Sequence, residues 1–359
     1  MPTQTASPPV LVARALADEL LAPAAEEVDR TRVRRAVVDR LAAAGLLGLT
    51  GPAAYGGGAA PAAVQREVTE VLAGACGATW FVTTQHAMPL ATLAASGNEG
   101  LRDRLLRPMC SGGALSGVAV AHVRRPGPPP VTATRVDGGW RFDGTVAWMT
   151  SWGLCDVFLL GGTSPEGEVV LVLLPAREGP GLRATPPMRL LAMQASSTVA
   201  LDLDGLLVPD ADVARVAAAE EWLAADRAKT ANVTPAVFGL HATVVRRLRE
   251  TAERRSDTTA ARLADTLAAE GTDLRDHAYA LIDDVPDTER LDERLRLRAA
   301  ALELVLRAAT ALVVATGGSA MSLDAAPQRL LREAGFFLVQ AQTPAVREAT
   351  LRQLQGRAA

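Results

Sequence analysis

The 359-residue chain is longer than a single hydrophobic core usually supports, so its length predicts two or three domains. A formal net charge of −3 gives no electrostatic basis for binding nucleic acid, and glutamates alternate with the clustered arginines of residues 244–255. The three cysteines are far apart in the sequence, which argues against both a disulfide framework and a cysteine metal site.

The first 21 residues lack the basic segment and following apolar core of a secretory signal peptide. The apolar runs elsewhere are short or interrupted by charges, so we expect no membrane-spanning segment. These two observations predict a cytoplasmic protein that does not contact membranes.

The N-terminal third of the sequence has helical periodicity. Residues 37–49, VVDRLAAAGLLGL, repeat apolar side chains at helical spacing, and the glycines and prolines of residues 51–61 predict a loop. The apolar stretch 62–97 is typical of one or two buried helices. We therefore predict an N-terminal helical domain over residues 1–111.

A different pattern begins near residue 112, where short β-branched segments alternate with glycine and proline. Such segments predict an antiparallel sheet or barrel over residues 112–212. The Asp137-Gly138 pair favours a tight hairpin turn between two of the strands. The predicted strands lie within residues 113–121, 130–136, 140–150, 156–162, 168–175 and 197–209.

Helical periodicity returns near residue 213 and continues to the end of the chain. Breaks near 256–257, 283–286, 317–318 and 324–327 predict about four helices, and thus a helical bundle over residues 213–359. No G-x-G-x-x-G motif follows a strand, so the sequence gives no support to a Rossmann nucleotide site.

Four segments, in this order, resemble the acyl-CoA dehydrogenase superfamily. LAAAGLLGLTGPAAYGGG (41–58) is similar to the opening helix and loop of the family, and WRFDGTVAWMTSWG (140–153) is similar to its flavin-binding strand pair. VALDLDGLLVP (199–209) resembles the last strand of the middle domain, and QRLLREAGFFLVQAQT (328–343) resembles the final helix with the catalytic loop. The resemblance implies an N-terminal helical domain, a middle β domain that faces a flavin, and a C-terminal four-helix bundle.

The resemblance also implies a flavin site. Trp148 and Thr150 take the places of the family's Trp-x-Thr triplet, where an indole lies against the flavin and a hydroxyl hydrogen-bonds N5. Ser151 is a weaker candidate, since the family often has asparagine there. In the family, an arginine of a helical hairpin grips the adenosine half of FAD on a neighbouring subunit, and Arg254 (or its neighbour Arg255) matches that position. The pair Gly317–Gly318 resembles the family's Gly-Gly turn, where the backbone approaches the cofactor.

Two departures concern the cofactor. The Phe-Gly that follows the arginine in the family, and about a dozen further residues, are missing near Arg254. FAD is the expected cofactor, with FMN or a transiently bound reduced flavin as alternatives.

The second departure lies in the strand that leads into the flavin site. His122 stands where the family has an acidic residue, and Arg124 and Arg125 replace small residues. These arginines suit a phosphate or a carboxylate.

The largest departure is at the catalytic base. Counted from Arg332-Glu333, the family's Tyr-Glu-Gly-Thr falls on residues 340–343, so Ala341 replaces the glutamate and Thr343 joins the cofactor-binding residues. Some family members keep the base on an earlier helix, but the matching residue here is Lys229. Asp226, one turn before it, is the nearest acid and a candidate relocated base.

Flavin monooxygenases of the same fold also lack the glutamate and often use a pocket histidine. His86 and His122 are the catalytic histidine candidates here, with His241 on a helix that would line the acyl cavity and His277 at the surface.

Three functions stay open on the sequence. They are a dehydrogenase of an acyl thioester with a relocated or absent base, a reduced-flavin monooxygenase acting on a small organic substrate, and a catalytically degenerate structural or regulatory homologue. The expected partners are a flavin reductase or an electron-transfer protein. Because residues 295–318 are apolar on more than one face, we also expect a homo-oligomer, either a dimer or a tetramer.

Overall fold

The architecture follows the predicted order of helices, sheet and helices. It is given by a computed structural model that describes residues 6–356. Within these residues, the main hydrophobic core runs from the N-terminal helices through one face of the sheet into the C-terminal helices. A second, smaller core lies between the N-terminal helices and the other part of the sheet.

Seven helices form the N-terminal part. A π-helical turn, Ala17–Leu21, joins the first two, and the extended backbone of Cys76 separates the fourth from the fifth. Asn98 caps the seventh, since its side-chain oxygen accepts a hydrogen bond from the Leu101 N–H at 3.0 Å. The helices are α1 (Pro8–Leu16), α2 (Ala22–Arg30), α3 (Arg35–Ala43), α4 (Ala62–Ala75), α5 (Gly77–Thr84), α6 (Ala87–Ala94) and α7 (Glu99–Ser111).

The middle part is a single eight-stranded sheet with the order β6-β7-β3-β2-β4-β5-β8, in which β1 also pairs with β4. All six predicted strands are present, and β6 and β8 are additional. The predicted middle β domain is present, but the pairs β1–β4 and β2–β4 are parallel, so the sheet is mixed and not antiparallel throughout. The strands are β1 (Ser116–Ala119), β2 (Val131–Val136), β3 (Gly139–Met149), β4 (Val157–Thr163), β5 (Glu168–Pro175), β6 (Leu182–Ala184), β7 (Val199–Pro209) and β8 (Val213–Ala218).

Two local features of the sheet bear on the sequence predictions. The hairpin at Asp137-Gly138 is confirmed: Val136 pairs with Gly139, and Gly138 takes a φ of 73° that favours glycine. Residues 213–218 were predicted to begin the helical region, but they form β8, paired antiparallel with β5. The sheet therefore extends to Ala218, six residues past the predicted domain boundary.

Six helices follow the sheet within residues 219–356, where about four were predicted. The break at Ser256–Asp257 is confirmed: Ser256 adopts a φ of 53°, and the Asp257 carboxylate caps the next helix by accepting from the N–H groups of Thr259 and Ala260. The helices are α8 (Ala219–Ala231), α9 (Pro235–Arg255), α10 (Thr258–Asp284), α11 (Leu291–Thr316), α12 (Ala326–Phe337) and α13 (Pro344–Gly356).

A close glycine contact joins the N-terminal helices to the bundle. A Cβ atom on Gly239 of α9 would lie 2.0 Å from the Glu70 carbonyl oxygen, and one on Gly74 would lie 2.6 Å from the Gly239 carbonyl oxygen. The Thr243 hydroxyl also donates to the Gly74 carbonyl at 2.9 Å. Only glycine allows these two backbones to approach so closely, which fixes α4 against α9.

The helix α11 and the turn after it, Leu291–Met321, are long and apolar enough to cross a membrane by length and composition alone. This differs from the expectation that every apolar run is too short or interrupted. In the fold, α11 packs against α9, α10, α12 and α13, and 44% of its most apolar window is buried. Its apolar character is thus in keeping with a central helix of the bundle.

Candidate functional site

The end of β3 presents an exposed indole beside buried hydroxyl groups. Trp148 is 48% exposed, whereas Thr150, two residues later, is buried. The Thr150 hydroxyl lies 3.1 Å from that of Thr198, which lies 2.8 Å from that of Ser196. This places a chain of three hydroxyls next to an uncovered aromatic side chain.

Ser151 has a structural part in the same turn. It is buried with a φ of 71°, its N–H donates to the Ser196 carbonyl at 2.9 Å, and its hydroxyl donates to the Val82 carbonyl of α5 at 3.4 Å. Ser151 therefore ties β3 to the Ser196 turn and to the N-terminal helices. A direct contact between Ser151 and a cofactor stays a prediction.

Ala341 lies in the turn between α12 and α13 and has a φ of 47°, which is unusual for a residue with a Cβ atom. Arg298 of α11 holds this turn by donating to the carbonyls of Gln340 at 2.8 Å and Ala341 at 3.5 Å. The Thr343 hydroxyl accepts from the Val346 N–H at 3.3 Å and caps α13. Thr343 is therefore engaged in the backbone of its own helix, and its role as a cofactor contact stays a prediction.

Arg298 is a buried cation that has no carboxylate as an ion-pair partner among the described residues. It is 4% exposed, it also donates to the Thr230 carbonyl near the end of α8, and no acidic side chain in residues 6–356 pairs with it. Burial, together with the positive charge of nearby Arg124, lowers the pKa of Arg298 to about 10. Buried charges are usually paired, so the charge of Arg298 calls for an explanation.

Asp226, the candidate relocated base, lies close to this cluster but is already engaged. Its two carboxylate oxygens accept from Nε and Nη2 of Arg124 at 2.7 and 2.8 Å, and both side chains are largely buried. Proton abstraction by Asp226 would first require this bidentate ion pair to open. Lys229, which occupies the position where some family members keep the base, is exposed.

His86 joins two elements of the fold and has no free ring nitrogen. Its Nδ1 accepts from the Ser116 N–H at 3.0 Å, so its Nε2 carries the proton and donates to the Met109 carbonyl at 3.0 Å. Burial lowers the pKa of His86 and favours this neutral form. The prediction of a catalytic His86 is therefore not supported, because the residue fastens α7 to β1.

His122 differs from His86 in having one nitrogen unused. Its Nε2 donates to the Gly161 carbonyl at 2.7 Å, while its buried Nδ1 has no partner within residues 6–356. Burial lowers the pKa of His122, and the charges of Arg125 and Arg124 lower it further. A neutral His122 thus presents an acceptor nitrogen close to the arginines, so it stays a candidate.

The predicted adenosine end is partly assembled. Arg254 donates to the Thr251 hydroxyl of its own helix at 2.9 Å, whereas Arg255 donates to the Thr316 carbonyl at 2.6 Å and so reaches the glycine pair. Gly317 has a φ of 74°, and a Cβ on Gly318 would meet no atom within 4 Å. The structure thus brings Arg255, rather than Arg254, to the Gly317–Gly318 turn.

The sequence interpretation missed Arg298, Thr198 and Ser196. Arg298 lies inside an apolar helix, where its only signal is a charge flanked by leucine and alanine. Thr198 and Ser196 precede a correctly predicted strand, but their contact with Thr150 depends on strand pairing. No group of three or more side chains suited to a metal ion occurs in the described part of the chain.

Comparison with known proteins supports the resemblance. Residues 11–113 match the family "Acyl-CoA dehydrogenase, N-terminal domain". The fold aligns with butyryl-CoA dehydrogenase from Megasphaera elsdenii at a TM-score of 0.82 and 16% identity, over 99% of this chain and 100% of the other. The chain has the acyl-CoA dehydrogenase fold.

Two further structures with this fold differ in function. A glutaryl-CoA dehydrogenase from Mycobacterium smegmatis in complex with FADH2 aligns at a TM-score of 0.80 and 18% identity, over 98% of this chain and 94% of the other. Dibenzothiophene monooxygenase from Paenibacillus sp. A11-2 aligns at 0.78 and 16% identity, over 97% of both chains. The acyl-CoA dehydrogenase fold is thus shared by dehydrogenases and a monooxygenase.

A sequence relative is benzylmalonyl-CoA dehydrogenase from Aromatoleum aromaticum, at 28% identity over 198 residues. The match covers 54% of this chain and about half (52%) of the relative's length.

Proposed function

We propose that the chain is a flavin-dependent oxidoreductase that acts on an acyl thioester. The observation that carries this proposal is the exposed indole of Trp148 beside the buried Thr150 hydroxyl, at the place that the family uses for the flavin ring. An exposed tryptophan at the end of a sheet offers a flat apolar face suited to a planar ring. The thioester substrate class is supported by the names of the relatives benzylmalonyl-CoA dehydrogenase and butyryl-CoA dehydrogenase.

The residues present fit the flavin ring of the cofactor better than they fit the cofactor's adenosine end. Trp148 would pack against the ring, and Thr150, whose hydroxyl is supported by Thr198, would hydrogen-bond it. At the other end, Arg255 and the open Gly317–Gly318 turn would accommodate a phosphate or adenosine. When bound, the flavin supplies a two-electron acceptor. FAD is the form we propose, with FMN or a transiently bound reduced flavin as alternatives.

The part played by the turn around Ala341 follows from its backbone. Without a carboxylate, Ala341 does not remove a proton, but its N–H remains as a donor suited to a substrate carbonyl. Arg298 holds the carbonyls of this turn and so fixes the direction of its peptide groups. We propose that this turn orients the thioester, while the identity of any base stays open.

A reduced-flavin monooxygenase acting on a small organic substrate is the second candidate. It is favoured by the alanine at position 341, because such an enzyme needs no glutamate there, and by the shared fold with dibenzothiophene monooxygenase. His122, with its unpartnered Nδ1, is the histidine that suits this chemistry. The electron partner would then be a flavin reductase, whereas a dehydrogenase would pass electrons to an electron-transfer protein.

The first test is to purify the protein and identify any bound flavin by absorbance and mass spectrometry. Thr150→Val should then weaken flavin binding or slow flavin reduction, because it removes one hydroxyl and keeps the shape. Thr145→Val is the matched control, since Thr145 lies on the same strand and is exposed. Flavin affinity and reduction rate unchanged in Thr150→Val would contradict the assignment of the site.

A second measurement separates the two activities. Reduction of an artificial electron acceptor by an acyl-CoA supports the dehydrogenase. Oxygen consumption with an added flavin reductase supports the monooxygenase. If the protein binds neither oxidised nor reduced flavin, both proposals are contradicted. The cytoplasmic location stays a prediction as well.

A further inference from the structure

The cluster around Ala341 carries more positive than negative charge. Arg298 is buried without a carboxylate, and Arg124 lies near enough to lower the pKa of Arg298. Within this cluster, the carboxylate of Asp226 pairs with Arg124, whereas Arg125 is exposed to solvent and has no ion-pair partner in the described part of the chain. Two neighbouring guanidinium groups repel each other, and the repulsion grows when solvent is excluded.

We infer that this arginine cluster, Arg298 with Arg124, binds an oxyanion carried by the acyl group of the substrate, namely a second carboxylate. The inference rests on the proposed function, since it concerns the acyl thioester bound there. A guanidinium is planar and suits a carboxylate, with which it forms short, charge-assisted hydrogen bonds. A ligand carboxylate would supply the missing counter-charge for Arg298.

The location favours an acyl carboxylate over a cofactor phosphate. Arg298 hydrogen-bonds the carbonyls of Gln340 and Ala341, the turn that replaces the family's catalytic loop. The candidate adenosine and phosphate residues lie near Thr316, at the far end of the same helix. Eighteen residues of α-helix separate Arg298 from Thr316, which is about 27 Å. The anion at Arg298 is therefore expected near the reacting end of the substrate.

The same cluster explains why alanine is tolerated at position 341. A glutamate there would bring a fixed carboxylate next to Arg298 and compete with the substrate carboxylate for the guanidinium. With Ala341, the turn adds no side-chain charge, so the positive charge stays available to a ligand. Buried His122, on the same segment as Arg124, adds a further polar atom, its Nδ1, that has no partner among residues 6–356.

The test compares matched thioesters by isothermal titration calorimetry on the protein as purified. Malonyl-CoA and glutaryl-CoA carry a second carboxylate, and acetyl-CoA and butyryl-CoA do not, while all four share the CoA phosphates. The two comparisons are malonyl-CoA with acetyl-CoA and glutaryl-CoA with butyryl-CoA. In at least one of them, we expect the dicarboxylic thioester to bind about 10- to 100-fold more tightly, as a buried charged hydrogen bond implies. Arg298→Gln should remove that preference, with Arg296→Gln as the control, since Arg296 is an exposed arginine of the same helix.

Each outcome decides the inference. Equal binding of both members of each pair by the wild type would overturn it and leave the proposed function standing. Binding of none of the thioesters would overturn both the inference and the thioester substrate.

The variants decide between the possible anions. If Arg298→Gln fails to fold, Arg124→Gln and the wild-type comparison remain, and a lost preference in Arg124→Gln supports the cluster. An equal loss of affinity for all four thioesters in Arg298→Gln would assign the guanidinium to a CoA phosphate and refute an acyl carboxylate. Loss of flavin affinity alone would assign it to the cofactor.

Discussion

His241 offers a test of the electrostatics of the bundle interior. The residue is buried on α9, and its ring packs so closely on α10 that a Cβ atom on Gly271 would lie 2.3 Å from His241 Cε1. Its Nε2 is buried without a partner in the described residues. Burial and the positive charge of Arg307, partly opposed by Glu270, lower the pKa of His241 to about 4.

This shift makes the stability of the fold depend on pH. The unfolded chain binds a proton at His241 near pH 6.5, whereas the folded chain does so only near pH 4. The free energy of unfolding is therefore highest above pH 6.5, where His241 is neutral in both states. It decreases as the pH falls toward 4, because the unfolded chain then binds a proton that the folded chain does not. Between pH 7.5 and pH 5, the linkage relation gives a loss of about 2 kcal/mol in the free energy of unfolding.

His241→Leu should remove this loss, because leucine does not titrate. The measurement is urea denaturation at pH 7.5 and pH 5, and the packing cost of the substitution is the same at both values and cancels in the difference. Val244→Ala is the control, since it creates a cavity on the same helix, costs about 1 to 2 kcal/mol and leaves the pH dependence unchanged. An identical pH dependence in His241→Leu and the wild type would refute the buried neutral histidine.

Two further predictions concern the site and the assembly. Ala341→Glu should give dehydrogenation of a short acyl-CoA with an artificial electron acceptor, with a gain of about 100-fold, the lower end for a general base. No gain with flavin still bound, both in this variant and after Arg298→Gln is added to it, would favour the monooxygenase. We also expect at least a dimer by light scattering, because Val314 near the end of α11 is 75% exposed, and Met321 and Leu323, which follow in the chain, are exposed as well. Val314→Glu should weaken the dimer, and a wild-type monomer at every concentration would remove the idea.

The strands were predictable because each carries its own signal. Alternation and β-branching are visible within β2, β3, β5 and β7, and the Asp137-Gly138 turn fixes one pairing. The alanine-rich sequence of β8, VARVAA, does not distinguish a strand from a helix, and the three residues of β6 are too few for a pattern. Parallel pairing of β1 with β4 was not predictable, since it depends on tertiary contacts and not on local sequence.

The site was less predictable than the fold, for a related reason. Trp148 and Thr150 could be proposed from the sequence because they lie in one recognisable segment. The Arg124–Asp226 pair joins residues that are 102 positions apart, and no local pattern connects them. For His86 the sequence could not distinguish a pocket histidine from a buried structural histidine, because an apolar surrounding suits both equally well. Only its contacts with Met109 and Ser116 distinguish the two.

Ala341 and Arg298 are best understood together. A general base is effective when its pKa lies near the working pH, and a guanidinium nearby lowers the pKa of a carboxylate by about 1 to 3 units. A glutamate placed next to Arg298 would therefore be a weak base, so a chain that keeps this arginine loses little by having alanine at 341. It follows that Ala341→Glu and Arg298→Gln should not act independently. If the double variant gains more dehydrogenase activity than Ala341→Glu alone, the arginine is the reason that the base position is vacant. If Arg298→Gln has no effect on that gain, the two positions are uncoupled, and the alanine needs another explanation.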